Sequence, residues 1–188
     1  MSNAGPRAIY MREKTNLHYF GNKEIIKLHK TAFLCSRKCP ADIVLKSLDW
    51  AKSKKDKGEC VISCFHSRIE KDIFDILITG TQPLILVLAR GIKKRWPKEI
   101  KKAVEQERLL IVSPFDKTVT HITQEIANKR NKIMVDIADE VFLAYATKDG
   151  NLDELLKGIK DKKIMTFEKQ LPPSITPDEK DGQAIKEW

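Results

Sequence analysis

No stretch of this 188-residue chain is apolar for long enough to cross a bilayer as a helix, a span that needs about 18 residues. Its start, Met1-Ser-Asn-Ala-Gly-Pro-Arg7, also lacks the apolar centre of a signal peptide. A cytoplasmic protein with no membrane partner is the expectation. Cysteine is scarce. Cys35, Cys39, Cys60 and Cys64 make two C-x3-C pairs, but Cys60 and Cys64 bracket a strand-like run, and at about 3.3 Å per residue they stand roughly 13 Å apart, too far to share one tetrahedral zinc. Reduced thiols and no metal are expected. Acidic charge is short in one part of the chain only. Residues 1–115 carry 23 Lys and Arg against 12 Asp and Glu, whereas residues 116–188 carry 12 against 14. So one-sided a balance suits a nucleic-acid footprint, although lysine-rich helix faces are more commonly just solvated. No internal repeat is evident.

What the chain does have is a series of short apolar runs separated by helical patterns. The runs fall at 31–36, 60–65, 83–89, 109–113, 141–147 and 163–167. Apolar strands alternating with helices predict an α/β fold: a Rossmann-like, doubly wound, mainly parallel sheet of about six strands with helices on both faces. Pro40 opens a helix that turns Ile43, Leu45, Leu48 and Trp50 toward one face. Ser67-Arg-Ile-Glu70 has the form of a capping box for a second helix running to about Thr79. Pro97 suits the first turn of a helix over 98–105, and Ile122, Ile126, Ile133, Met134 and Ile137 predict a long helix over about 118–138. Asn151-Leu-Asp-Glu154 predicts a second capping box. Residues 1–30 are expected to be an extension packing on the core, with a turn and short helix near 17–26. Residues 31–168 form the domain, and the Pro-rich, polar stretch 169–188 reads as an extended or disordered tail.

The strand ends carry the candidate chemistry. The run Thr31-Ala-Phe-Leu-Cys35 stops at Ser36-Arg37-Lys38. In an open α/β sheet ligands sit beyond the carboxyl ends of the strands, where a hydroxyl beside a guanidinium suits a phosphate or carboxylate. Further tips follow in order: Ser63-Cys-Phe-His66-Ser67-Arg68-Ile69, then Leu88-Ala89-Arg90-Gly91-Ile92 with Trp96-Pro97, then Arg130-Asn131-Lys132-Ile133, then Gly150-Asn151-Leu152. This series resembles the Rossmann-like domain of the DNA-processing protein A (DprA/Smf) family, whose signatures run G-S-R, S-G-x-A-x-G-I-D, a strand ending in G before Y-P, R-N-R-I-I and S-G-S/T. The resemblance covers about 31–167. It implies a DNA-processing protein of natural transformation and recombination that binds single-stranded DNA, works as a homodimer and loads a RecA-type recombinase, with no cofactor and no catalytic residue. The residues it and the local charge nominate for DNA or phosphate are Ser36, Arg37, His66, Arg68, Arg90, Lys93, Lys94, Arg130, Asn131 and Lys132. Cys35 and Cys64 stand where the family signatures have glycine, so side chains crowd a loop that elsewhere lets backbone approach a phosphate.

An enzyme reading competes. Arg130-Asn131-Lys132-Ile133-Met134 and Lys148-Asp149-Gly150-Asn151-Leu152-Asp153-Glu154 are also similar to the R-K-x-x-M and P-G-G-x-G-T-x-x-E signatures of the nucleotide phosphoribohydrolases of the "Lonely guy" type. That resemblance implies phosphate held by Arg130 and cleavage of an N-glycosidic bond assisted by Glu154. A sensor that binds a nucleotide without cleaving it is the third expectation.

Overall fold

The structure, a computed structural model, describes residues 16–167. Its centre is a seven-stranded sheet: β1 (His18–Gly21), β2 (Lys30–Cys35), β3 (Cys60–Ser63), β4 (Leu84–Val87), β5 (Leu109–Ser113), β6 (Glu140–Tyr145) and β7 (Ile164–Thr166). They lie in the order β1-β5-β4-β3-β2-β6-β7. All neighbours pair in parallel except β1, which runs antiparallel to β5.

Both faces of the sheet are dry, and the strand period of two divides them. Phe33, Val61, Leu84, Leu86, Leu109, Ile111 and Phe142 join one core layer with residues of three helices, α1 (Ala41–Asp56), α2 (Arg68–Leu77) and α3 (Lys98–Glu105). Leu34, Ile62, Ile85, Leu110, Val112 and Leu143 join the other, with Met134 and Val135 of α4 (Gln124–Ile137), Leu152 and Leu156 of α5 (Asn151–Lys157), and Ile25 of the 3-10 turn Lys23–Lys27. Burial of this kind contributes about 1.5–3 kcal/mol per large apolar side chain, which is why unbroken apolar runs rather than alternating ones mark the strands. Among the described residues no helix is long and apolar enough to cross a membrane.

Four expectations are corrected. Leu45, expected on the same face of α1 as Ile43, is 65% exposed, because residues two apart stand about 200° around a helix. The stretch around 17–26 contains a strand as well as a short helical turn, and β1 closes the sheet edge beside β5. Gly21 makes this possible: its φ is +99°, and a Cβ there would lie 2.2 Å from the Leu109 carbonyl oxygen. Gly21→Ala is expected to cost about 1–3 kcal/mol, seen as a lower thermal midpoint. The long helix begins at Gln124, not near 118, because the Thr123 hydroxyl accepts from the Ile126 N–H (3.2 Å) and stops the helix there, which leaves Ile122 exposed. The second capping box does not form. Gly150 is the cap residue, Asn151 is already helical, and it is Asp153 that reaches back, accepting from the Asp149 N–H (3.3 Å). The expected 169–188 tail and residues 1–15 of the extension lie outside the described residues.

Candidate anion site at the strand-order reversal

Reading outward from β2, the chain winds one way through β3, β4 and β5 and the other way through β6 and β7. The crevice between the carboxyl ends of β2 and β6 is therefore the place where neighbouring connections leave in opposite directions, the usual ligand position in such sheets. The register slips there: Leu34 pairs with Leu143 but Cys35 with Tyr145, so one residue of β6 bulges and the two tips splay. A cavity of about 340 Å³ opens at this point.

Ser36 ties its rim together. Its N–H donates to the Tyr145 carbonyl (2.9 Å), and its hydroxyl oxygen accepts from the Thr147 N–H (3.0 Å). A hydroxyl can also donate, and Ser36 lines the cavity. Next along the chain, Arg37 lines the cavity and is exposed.

The β3–α2 turn forms a second wall. Phe65 takes a left-handed conformation (φ +46°), unusual for a residue with a large side chain and costing about 1–3 kcal/mol. Its ring is held in the core, 4.8 Å from that of Phe74. The turn is locked by Glu70, which is 5% exposed. One of its carboxyl oxygens accepts from the N–H groups of both His66 and Ser67 (2.9 Å each), and the Ser67 hydroxyl oxygen accepts in turn from the Glu70 N–H (3.3 Å). The Cys64 sulfur lies 3.4 Å from both Glu70 oxygens. Burial, then the Glu70 charge, pushes the Cys64 thiol well up, so it is a neutral wall residue rather than a nucleophile or ligand. Both cysteines that replace glycine line the cavity, and it stays open beside them. Among the described residues no three His, Cys, Asp or Glu side chains converge as metal ligands.

The third wall is α4, which brings Arg130. This guanidinium is only 6% exposed, lines the cavity, donates from Nε to the Asn131 side-chain oxygen (3.0 Å), and has no ion-pair partner among the described residues. Arg37, Lys38 and Arg130 thus face the single carboxylate of Glu70 across the cavity. A buried arginine without a counter-charge is costly unless an anion visits it.

His66 stands at the mouth. Burial lowers its pKa below the ordinary histidine value, Arg130 and Arg37 lower it further, and Glu70 acts in the opposite direction. The neutral ring is therefore favoured. A bound anion favours the protonated ring, so anion affinity should rise as pH falls into the range where the ring takes up its proton. His66→Gln should flatten that dependence in a binding titration from pH 5 to 8.

The structure brings Ser36, Arg37, His66, Arg130 and Asn131 together and leaves the other nominated residues elsewhere. Arg68 is exposed at the first position of α2, while Arg90, Lys93 and Lys94 belong to the next tip, after β4. Lys132 is turned about 200° around α4 from Arg130, since each helical residue rotates by about 100°. It lines an adjoining groove with Lys129 and Leu155, which meets the cavity at Asn131 and Asn151. Glu154 is exposed on α5, paired with Lys157 at 2.7 Å, and does not line the cavity. Glu70 is the carboxylate sequence reasoning missed there. Its capping-box pattern was legible, but a cap on a helix says nothing about what the cap faces. Gln124 and Thr147 line the cavity too, with no sequence signal.

A parallel sheet of this winding, with a polar cavity at its reversal point, defines a Rossmann-like α/β protein. The family model of DNA recombination-mediator protein A matches residues 8–184, and the chain belongs to that family. Two solved structures share the fold. One is DNA processing protein A from Helicobacter pylori, described for its single-stranded DNA binding mode, with a TM-score of 0.66, 13% identity, and coverage of 84% of this chain and 73% of that one. The other is DprA from Streptococcus pneumoniae, with a TM-score of 0.63 and 17% identity. That match covers 80% of this chain but only 54% of the Streptococcus protein, so this chain spans about half its length. No curated protein sequence matches.

Proposed function

We propose that this protein is a recombination mediator that binds single-stranded DNA, with a backbone phosphate held in the cavity between the β2 and β6 tips. The observation that carries the reading is Arg130: buried, cavity-facing and without a carboxylate partner among the described residues. Arg37 and the Ser36 hydroxyl supply further donors, Asn131 orients the Arg130 fork, and family membership and the DNA-binding relative from Helicobacter support the ligand class. On the family's pattern the protein acts as a homodimer in the cytoplasm, serves natural transformation and delivers the strand to a RecA-type recombinase.

The test is a salt titration of oligonucleotide affinity for the wild type and for Arg37→Ala with Arg130→Ala. Binding that is absent at low salt, or unchanged in the double variant, overturns the proposal. The phosphoribohydrolase reading has less support, because Glu154 stands away from Arg130's cavity. Release of free base from a nucleoside monophosphate, lost in Glu154→Gln, would restore it.

A further inference from the structure

The basic residues that the cavity leaves out form a line, because strand order is spatial order. From β2 the sheet passes through β3, β4 and β5 to β1, four steps of about 4.8 Å or roughly 19 Å in all. The β3 tip bears Arg68, and the β4 tip bears Arg90, Lys93, Lys94 and Arg95. Residues 90–102 hold seven Lys and Arg against one acidic residue, Glu99. Among the described residues, none of these seven is in an ion pair.

This loop is held in place. The Gly91 N–H donates to the Val119 carbonyl (2.9 Å), and a Cβ on Gly91 would come within 2.5 Å of the Asp116 oxygen, so backbone packs directly on backbone. The line ends on aromatic surface. Trp96 reaches across to Phe20 of β1, with ring centroids 6.2 Å apart and planes 10° from parallel. The Lys93 ammonium sits 5.8 Å above the Trp96 ring. Core packing explains the inner side of Trp96, which lies against the α1–α3 layer. It does not explain Phe20, 37% exposed beside unpaired cations. The Trp96 indole N–H has no acceptor among the described residues, so no hydrogen bond fixes the ring.

Stacked aromatics among free lysines are what sequence-independent binding of single strands uses: π faces for bases and cations for phosphates. We propose that Phe20, Trp96 and Lys93 form a second subsite, on which a base of the bound strand stacks a few nucleotides from the cavity, with Arg90 and Lys94 along the phosphates between. The proposal rests on the reading of the cavity as a single-stranded DNA site.

The experiment compares a thymidine trinucleotide with a strand of about 15 nucleotides on the full chain, using Phe20→Ala and, separately, Lys93→Gln with Lys94→Gln. Both sets of side chains are exposed, and thermal melting checks that the fold is kept. Each variant should lose about fivefold or more in affinity for the long strand and much less for the trinucleotide, and a photoreactive base in the long strand should crosslink to Trp96 or Phe20. Unchanged long-strand affinity in both variants, or equal losses at both lengths, overturns the subsite while leaving the cavity reading intact. Trinucleotide binding that survives Arg37→Ala with Arg130→Ala overturns the cavity reading instead, and the long-strand losses in the Phe20 and Lys93 variants still report on the aromatic platform.

Discussion

Replacing Arg130 with Ala should weaken single-stranded DNA binding by about 10- to 100-fold, because a hydrogen bond to a charged group contributes about 1.5–3 kcal/mol and this guanidinium is shielded from water. Arg37→Ala should cost less, since Arg37 is exposed and its charge is screened by salt. Removing either cation should also reduce the slope of log affinity against log salt by about 0.7 if it contacts a phosphate. Arg130→Lys should restore little. A lysine keeps the charge but not the planar fork that Asn131 holds in orientation. Fluorescence anisotropy over a salt series reads both quantities. An Arg130→Ala variant that keeps its affinity and its slope, while melting like the wild type, would remove Arg130 from the site.

The second large effect is on stability. Glu70→Ala strips two part-buried N–H groups, those of His66 and Ser67, of their acceptor, and removes the lock on the left-handed Phe65 turn. An unmet donor costs about 1–3 kcal/mol when fully buried and less where water reaches it, so with the turn's lock also lost the cost should be about 3 kcal/mol. For a chain of this size that corresponds to a thermal midpoint lower by about 6–12 °C. Glu70→Gln should be much milder, because an amide oxygen in place of the accepting carboxyl oxygen keeps both bonds. The same change removes the one negative charge lining the cavity, so it should tighten oligonucleotide binding by a few fold. Weaker binding by Glu70→Gln at unchanged stability would instead mean that the carboxylate itself contacts the ligand. Equal destabilisation by Gln and Ala would show that the two N–H bonds are not what holds the turn.

Much of the fold was legible because it rests on local patterns. Apolar runs bounded by turn residues marked β2 through β7, and Ser67-Arg-Ile-Glu70 marked the start of α2, since a capping box needs only four consecutive residues. β1 was not legible. His18-Tyr-Phe-Gly21 is a short edge strand with two exposed residues, and its only ladder is to β5, some 90 residues further on. Asn151-Leu-Asp-Glu154 failed as a capping box for a related reason: Gly150 takes the cap position, which shifts every residue of the motif by one place.

The sequence by itself determined the sheet's strands, the cations at their tips, and the pairing of Ser36 with Arg37 and of Arg130 with Asn131. Tertiary structure decided which of these meet. Ser36 and Arg130, far apart in the chain, share a cavity because the strand order reverses between β2 and β6. Lys132, two residues from Arg130, is excluded because a helix turns it to another face. Burial of Glu70 beside those arginines follows from how α2 packs, and no spacing along the chain encodes it. Sequence patterns report what a residue is and which local element it joins. The company it keeps is set by the path of the chain through the sheet.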